Sequence, residues 1–413
     1  MVRLYTVRSN NEHLEWVDVM TGSEEFDIHR QTTPEQSAER WNEMRQTPGL
    51  CRFAEYGGFY VAARYDDVMK VLLSPEVFGS GKGITLPPPD KIRSLHIPAE
   101  VDPPAHGEYR SLIQPLLGPA DARAMEPAIR EIVCELVGRI PDGESVDFVR
   151  AFARPLPIMV ALDLLRISRE EAGNIEQMVE DLHHEVATGQ ATGAGQRLEQ
   201  FAYEIIDRRA AEERPGTPDV VTAVLEGKAF GRPLTREEQM SMIRLIMVGG
   251  FDTTSIALAN LAKWLAENPA ERDRVAADPR LVDGLCEDIV RVSSPSTYLR
   301  REVMQPTELA GTRMEPGDSV LVAFGAANLD PLKFECPAEV RPDRKPNPHV
   351  GFGAGRHRCI GSFVAKAQMR VACEELLAAF DRFEIDSEKP IPYSTGLGQG
   401  IMALPMRLGR KPR

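Results

Sequence analysis

The chain has 413 residues, of which 42% are apolar and 27% charged, the balance of a folded globular protein with a sizeable core rather than a disordered or fibrous chain. A net charge of -13, with no concentrated run of Lys and Arg, argues against nucleic-acid binding. No segment carries an apolar run long enough for a signal peptide or a membrane span, so the expectation is a cytoplasmic protein without membrane contact. The cysteines Cys51, Cys134, Cys286, Cys336, Cys359 and Cys373 are scattered with no C-x-x-C pair, which excludes a disulfide framework and a zinc ribbon and leaves reduced thiols.

In chain order, "CRFAEYGGFYVAARY" gives two β-prone runs around Gly57-Gly58, a hairpin within a small sheet at about 50–65. "DDVMKVLLS" follows with helical spacing. Residues 79–105 are too rich in Gly and Pro for one regular element and form a long loop of the kind that often covers a site. From about 105 to 295 the chain reads as a helical core. Its longest helix is expected to start at Thr235, where "TREE" makes a capping box from Thr235 and Glu238, and to stop at about Glu267 before Asn268-Pro269. Such a helix, at about 1.5 Å per residue, crosses most of a domain. "ELAGTRMEPGDSVLVAF" reads as short strands with a turn, and "GSFVAKAQMRVACEELLAAF" as a last helix. With no internal repeat and no linker dividing two cores, the fold class is mainly α with a minor β-sheet in a single domain spanning 1–413.

The stretch "FGAGRHRCIG", residues 352–361, sets one thiol at a helix entry. Gly353, Gly355 and Gly361 let the main chain approach a flat ligand closely, and the helix N-terminus with Arg356, His357 and Arg358 favours thiolate over thiol. By base rate a cysteine after a glycine-rich turn is a buried structural thiol. As a nucleophile Cys359 has a base in His357 but no oxyanion site, and as a zinc site the pair lacks two ligands. A haem iron needs one protein thiolate, and its two propionates need cationic partners.

The same ten residues resemble, at every fixed position, the haem-binding loop Phe-Gly-x-Gly-x-His-x-Cys-x-Gly of the cytochrome P450 family. That resemblance implies a triangular-prism fold, haem b with Cys359 as axial ligand, and the long helix crossing the haem. On that helix "VGGFDTT" is similar to the family's oxygen-activation motif, with Gly249 and Gly250 loosening the helix, Asp252 as the acid and Thr253 as the alcohol; reducing dioxygen so that one atom leaves as water requires two protons. "HGEYR" supplies His106 and Arg110 as propionate contacts, Arg301 matches the arginine preceding the strand after the Ser-Pro turn, and His357 is a third contact, with Phe352, Gly353 and Gly361 shaping the loop. The family's Glu-x-x-Arg stands here as "DIVR", with Asp288 facing Arg291 and Arg344. The shorter acid puts the pairing of a buried arginine, and with it haem retention, in question. "ANLDP" carries Leu329 where the family has Arg.

The bacterial soluble type is closest, and the "GGFDT" helix, "IPAEVDPPAH" and "ALP" resemble the camphor hydroxylase branch. Ser94 and His96 replace that branch's aromatic contacts, so camphor is not the expected substrate. The alignment implies a pocket of Ser94, His96, Leu245, Val248, Gly249, Thr297, Leu397 and Gly398, fitted to a small, mostly apolar terpenoid or aromatic with one polar group. The reaction implied is hydroxylation, or oxidative demethylation, with dioxygen. No flavin or nicotinamide fingerprint is present, so a separate iron-sulfur ferredoxin with its reductase is the expected electron source. Arg110, Arg344, Arg356, Arg358, Lys366 and Arg370 are the cations that would steer it. The expected state is a monomer. The alternatives are a peroxide-driven haem-thiolate enzyme, against which the acid-alcohol pair speaks, and a non-catalytic haem sensor or carrier.

Overall fold

The computed structural model describes residues 32–87, 95–188, 192–212, 219–394 and 400–412; Ser94, Leu397 and Gly398 lie outside them. The expected hairpin forms from Cys51–Phe53 and Phe59–Ala62, paired antiparallel with Cys51 opposite Val61. Its turn holds Tyr56, Gly57 and Gly58 at φ of 54°, 84° and 91°, which is why two glycines stand there. The hairpin is one side of a five-stranded sheet, because Phe59–Ala62 continues in parallel onto Ser319–Val322, then Leu299–Val303 and Phe78–Gly79. Sequence pattern found the hairpin and the strand Ser319–Val322 but not Phe78–Gly79, nor the pairing of Phe59–Ala62 with Ser319–Val322, which lie far apart along the chain. A second sheet joins Phe380–Ile385, Pro405–Arg410 and Ser145–Asp147.

Helices make up the rest. The central one runs Arg236–Glu267 and is capped as expected: Glu238 N–H donates to Thr235 Oγ1 at 3.2 Å, and Thr235 N–H to Glu238 Oε2 at 2.7 Å. Glu238 also accepts from Tyr109 Oη at 2.6 Å and from both Arg232 nitrogens. The guanidinium and phenol hold its carboxyl down to about 2. This one acid therefore ties the helix Ala105–Ile113, which carries His106 and Arg110, to the start of the central helix.

The central helix buries Met240, Ile243, Met247 and Phe251 in one apolar cluster and Leu258, Leu261, Trp264 and Leu265 in another. Each such side chain withdrawn from water contributes on the order of 1.5–3 kcal/mol. Its length and apolarity match a membrane span, but half of its most apolar window is buried inside the molecule. It is helical throughout. A side-chain carbon added at Gly249 or Gly250 meets nothing within 4 Å, so the glycines leave one flank open. The expected helical core at 105–295 is interrupted by the strand Ser145–Asp147 and the small hairpin Lys228–Ala229 with Arg232–Pro233.

Beyond Gly79, the described residues of the long loop form no ladder, and side chains satisfy part of its backbone instead. Asp102 accepts from Ser80 and Gly81 N–H at 2.5 and 2.9 Å, and Glu100, fully buried, from Ile84 and His96 N–H at 3.1 and 2.8 Å. Arg300 donates to the carbonyls of Lys82 and Gly83. Ser241 on the central helix accepts from Ile97 N–H at 2.9 Å and donates to Leu95 O. The loop is thus fastened to the helix that carries Asp252 and Thr253.

Candidate active site

The cysteine loop follows from its glycines. Gly353 and Gly355 adopt φ of 65° and 66°, and a side chain on Gly355 would come within 2.6 Å of Leu72 O. Cys359 N–H donates to Phe352 O at 2.8 Å and closes the loop. The helix Ser362–Ala379 begins three residues after Cys359. The residue is exposed, yet burial in surrounding protein is the largest influence on its thiol, and the net pKa shift is upward. Burial outweighs the N–H groups of Gly361 and Ser362 and the cations Arg110 and Arg358, all of which pull toward thiolate as expected. The thiolate is the form that ligates metal.

Around this sulfur the structure brings together four basic residues taken from three distant segments. The rings of His106 and His357 lie 4.2 Å apart. Arg110 donates to Arg358 O at 2.8 Å and acts electrostatically on Cys359. Arg301, 4% exposed, donates to Arg300 O at 2.8 Å and sits inside the strand Leu299–Val303 rather than before it. Burial lowers Arg301 to about 10. Burial, then Arg301, His106 and Arg110, push His357 down to about 3, and burial with Arg110 and Arg356 lowers His106. Asp102 opposes the shift at both Arg301 and His106, a counter-charge that sequence spacing did not reveal. The buried His357 Nε2 has no hydrogen-bond partner.

On the central helix, Leu245 and Val248 are half-buried and Gly249 is exposed although it lies midway along a core element. Helical spacing places them on the flank that carries Asp252. Asp252 and Thr253 are half-buried, and Thr253 Oγ1 donates to Gly249 O at 3.0 Å. Of the other expected pocket residues, His96 pairs with Glu100, its Nδ1 at 3.5 Å. Thr297 is buried, its γ-methyl directed at Gly325.

The question raised by Asp288 is settled geometrically. Asp288 accepts from Arg291 Nε and Nη2 at 2.6 and 3.1 Å, Arg344 Nε at 3.0 Å, Arg341 N–H at 2.6 Å and Asn347 Nδ2 at 3.1 Å. The remaining Arg291 donors reach the carbonyls of Asn328, Pro337 and Glu339. The shorter acid pairs the arginine fully, and its own pKa is lowered: burial alone would raise it, but Arg291 and its other partners outweigh that. This arrangement corrects the expected set of steering cations. Arg344 is consumed by Asp288, Lys366 by Glu287, and Arg370 by Glu126 and Glu374, whereas Arg356 and Arg358 are exposed.

The residues fit a haem. The buried Arg301 and the half-buried Arg110 stand with His106 and His357 beside Cys359, an imidazole nitrogen lacks a partner, and side-chain carbons at Gly249, Gly250 and Gly361 would meet nothing within 4 Å. Buried charges are normally paired, so this cluster suits a flat ligand with two carboxylates. Phe352, Gly353 and Gly361 form its loop.

Known proteins agree with this geometry. Residues 185–408 match the family model described as "Cytochrome P450". The probable cytochrome P450 127A1 of Sinorhizobium fredii is 31% identical over 81% of this chain and 80% of its own. Linalool 8-monooxygenase of Pseudomonas putida is 29% identical over 80% and 85%. The crystal structure of CYP109E1 from Bacillus megaterium in complex with testosterone superposes with a TM-score of 0.81 at 27% identity, covering 91% of this chain and 99% of that one. Given the single-domain helical fold, the cysteine loop and these matches, the chain belongs to the cytochrome P450 family and is a haem-thiolate monooxygenase that binds haem b and uses dioxygen.

Proposed function

We propose that the protein hydroxylates, or oxidatively demethylates, a small and mostly apolar substrate of the terpenoid or aromatic class, with electrons from a separate ferredoxin and its reductase. The observation that carries the site assignment is the buried basic cluster around Cys359. In this reading Cys359 ligates the iron, and His106, Arg110, Arg301 and His357 hold the propionates, His357 by offering an N–H from a neutral ring. The haem supplies dioxygen binding and activation.

The protein's own residues manage protons and substrate. Thr253 commits its hydroxyl proton to Gly249 O, so toward the site its oxygen is an acceptor, able to hold a water or a protonated oxygen in place. Asp252, one residue earlier, delivers protons. Leu245, Val248 and Gly249 present an apolar flank, with His96 and Ser94 as the candidate polar contacts and Thr297, Leu397 and Gly398 completing the proposed wall. A relative named for linalool supports the substrate class. The exposed Arg356 and Arg358, close in sequence to Cys359, support an acidic electron donor.

The test is Thr253→Ala, assayed with ferredoxin, reductase and a substrate chosen by its perturbation of the haem absorbance. Product per electron pair is expected to fall about tenfold or more, with the missing electrons recovered as hydrogen peroxide and substrate binding unchanged. Asp252→Asn is expected to slow turnover. Undiminished coupling in Thr253→Ala would remove the proton-delivery role, and activity with peroxide but none with ferredoxin would favour a peroxide-driven enzyme.

A further inference from the structure

The segment leading into the cysteine loop is stitched to the helix Val282–Ser293 by two neighbouring acids. Asp288 takes Arg341, Arg344 and Asn347. Glu287 takes His349, whose Nε2 lies 2.7 Å from Glu287 Oε2. The other Glu287 oxygen pairs with Lys366 Nζ, and that ammonium stands 5.1 Å from the centre of the Phe352 ring. The His349 side chain is 5% exposed, and its ring lies 5.9 Å from that of Phe352.

The protonation of His349 follows from one backbone group. Gly351 N–H donates to His349 Nδ1 at 3.2 Å. A backbone N–H can only donate, so Nδ1 carries a lone pair and the ring proton sits on Nε2, directed at Glu287. A doubly protonated ring would set N–H against N–H. Beyond Gly351, Phe352 O accepts Cys359 N–H at 2.8 Å. An unbroken series of contacts therefore runs from Glu287 through His349 and Gly351 to the residue bearing the sulfur.

We propose that His349, in the Nε2–H tautomer selected by Glu287, is a positioning residue for the Cys359 thiolate. It fixes Gly351 and Phe352, and with them the turn closed by Cys359 N–H. This rests on Cys359 being the iron ligand. Losing the acceptor at Nδ1 frees Gly351 N–H and loosens the turn, so the ligand converts more readily from thiolate to neutral thiol.

The test uses the holoenzyme, reduced and bound to carbon monoxide, and follows the rate at which the thiolate-type absorbance band gives way to the neutral-ligand band. His349→Asn keeps an acceptor near Gly351, His349→Gln keeps only the donor toward Glu287, and His349→Phe fills the volume with neither. Conversion is expected several-fold faster in the Phe and Gln variants and near wild type in Asn. Equal rates in Asn and Phe would reduce His349 to packing and overturn the proposal. A wild-type protein with no thiolate band would instead overturn the ligand assignment. Should the variants not take up haem, nitrogen NMR of labelled histidine in the wild-type carbon monoxide complex decides. A proton on Nε2 alone is expected, and one on Nδ1 contradicts the proposal.

Discussion

Replacing Cys359 with alanine is expected to abolish thiolate ligation of the haem, with loss of the thiolate-type absorbance of the reduced carbon monoxide complex and of all oxygenation. The other thiols are placed elsewhere: Cys51, Cys286 and Cys373 are buried in apolar clusters, the exposed Cys134 donates to Glu375, and the exposed Cys336 lies in the Pro-rich connection, where its carbonyl accepts from Arg344. Cys359 lies within the electrostatic reach of Arg110 and Arg358. The fold should survive, because the loop is closed by the backbone N–H of residue 359 and not by its sulfur. Circular dichroism of the variant should therefore match wild type while its absorbance does not. An unchanged thiolate band would refute the site assignment at its root.

The second large effect is expected at Asp288. Asp288→Ala leaves Arg291, wholly buried, without its carboxylate and frees Arg344, Asn347 and Arg341 N–H as well. Breaking a buried ion pair from one side costs about 3–5 kcal/mol, a large part of the roughly 5–15 kcal/mol that holds a domain together. The expected result, by denaturant unfolding, is a destabilisation of that order accompanied by faster haem release, since the same segment leads into the Cys359 loop. Asp288→Glu restores the charge but inserts a methylene into a site already satisfied, at about 1–3 kcal/mol. A stable Asp288→Ala variant with normal haem retention would show that the segment is held by other means.

Local chemistry made much of this legible in the sequence. The capping box at Thr235 and Glu238, the stop at Asn268-Pro269 and the Gly57-Gly58 turn are set by neighbouring residues, and the structure places them as expected. The ten-residue cysteine motif carried the cofactor. What sequence did not reveal depends on partners far along the chain: Asp102 opposite Arg301, Glu287 beside His349 and Lys366, and the loss of Lys366 and Arg370 to ion pairs. The weight of burial at the thiol was hidden for a related reason. Helix terminus and cations are visible locally, whereas burial, which dominates at Cys359, belongs to the packed molecule. His349 gave no signal at all, standing in a proline-rich stretch that reads as a connection.

The measurement that bears most directly on the whole account is turnover of the holoenzyme under isotopically labelled dioxygen, with ferredoxin, reductase and a bound substrate, followed by mass spectrometry of the product. One labelled oxygen atom per turnover, in the hydroxylated product or, for demethylation, in formaldehyde trapped before it exchanges with water, is the result expected of a chain that spends two electrons and two protons to send the other atom to water. No label in either, or turnover only when peroxide replaces dioxygen and the ferredoxin, would contradict it.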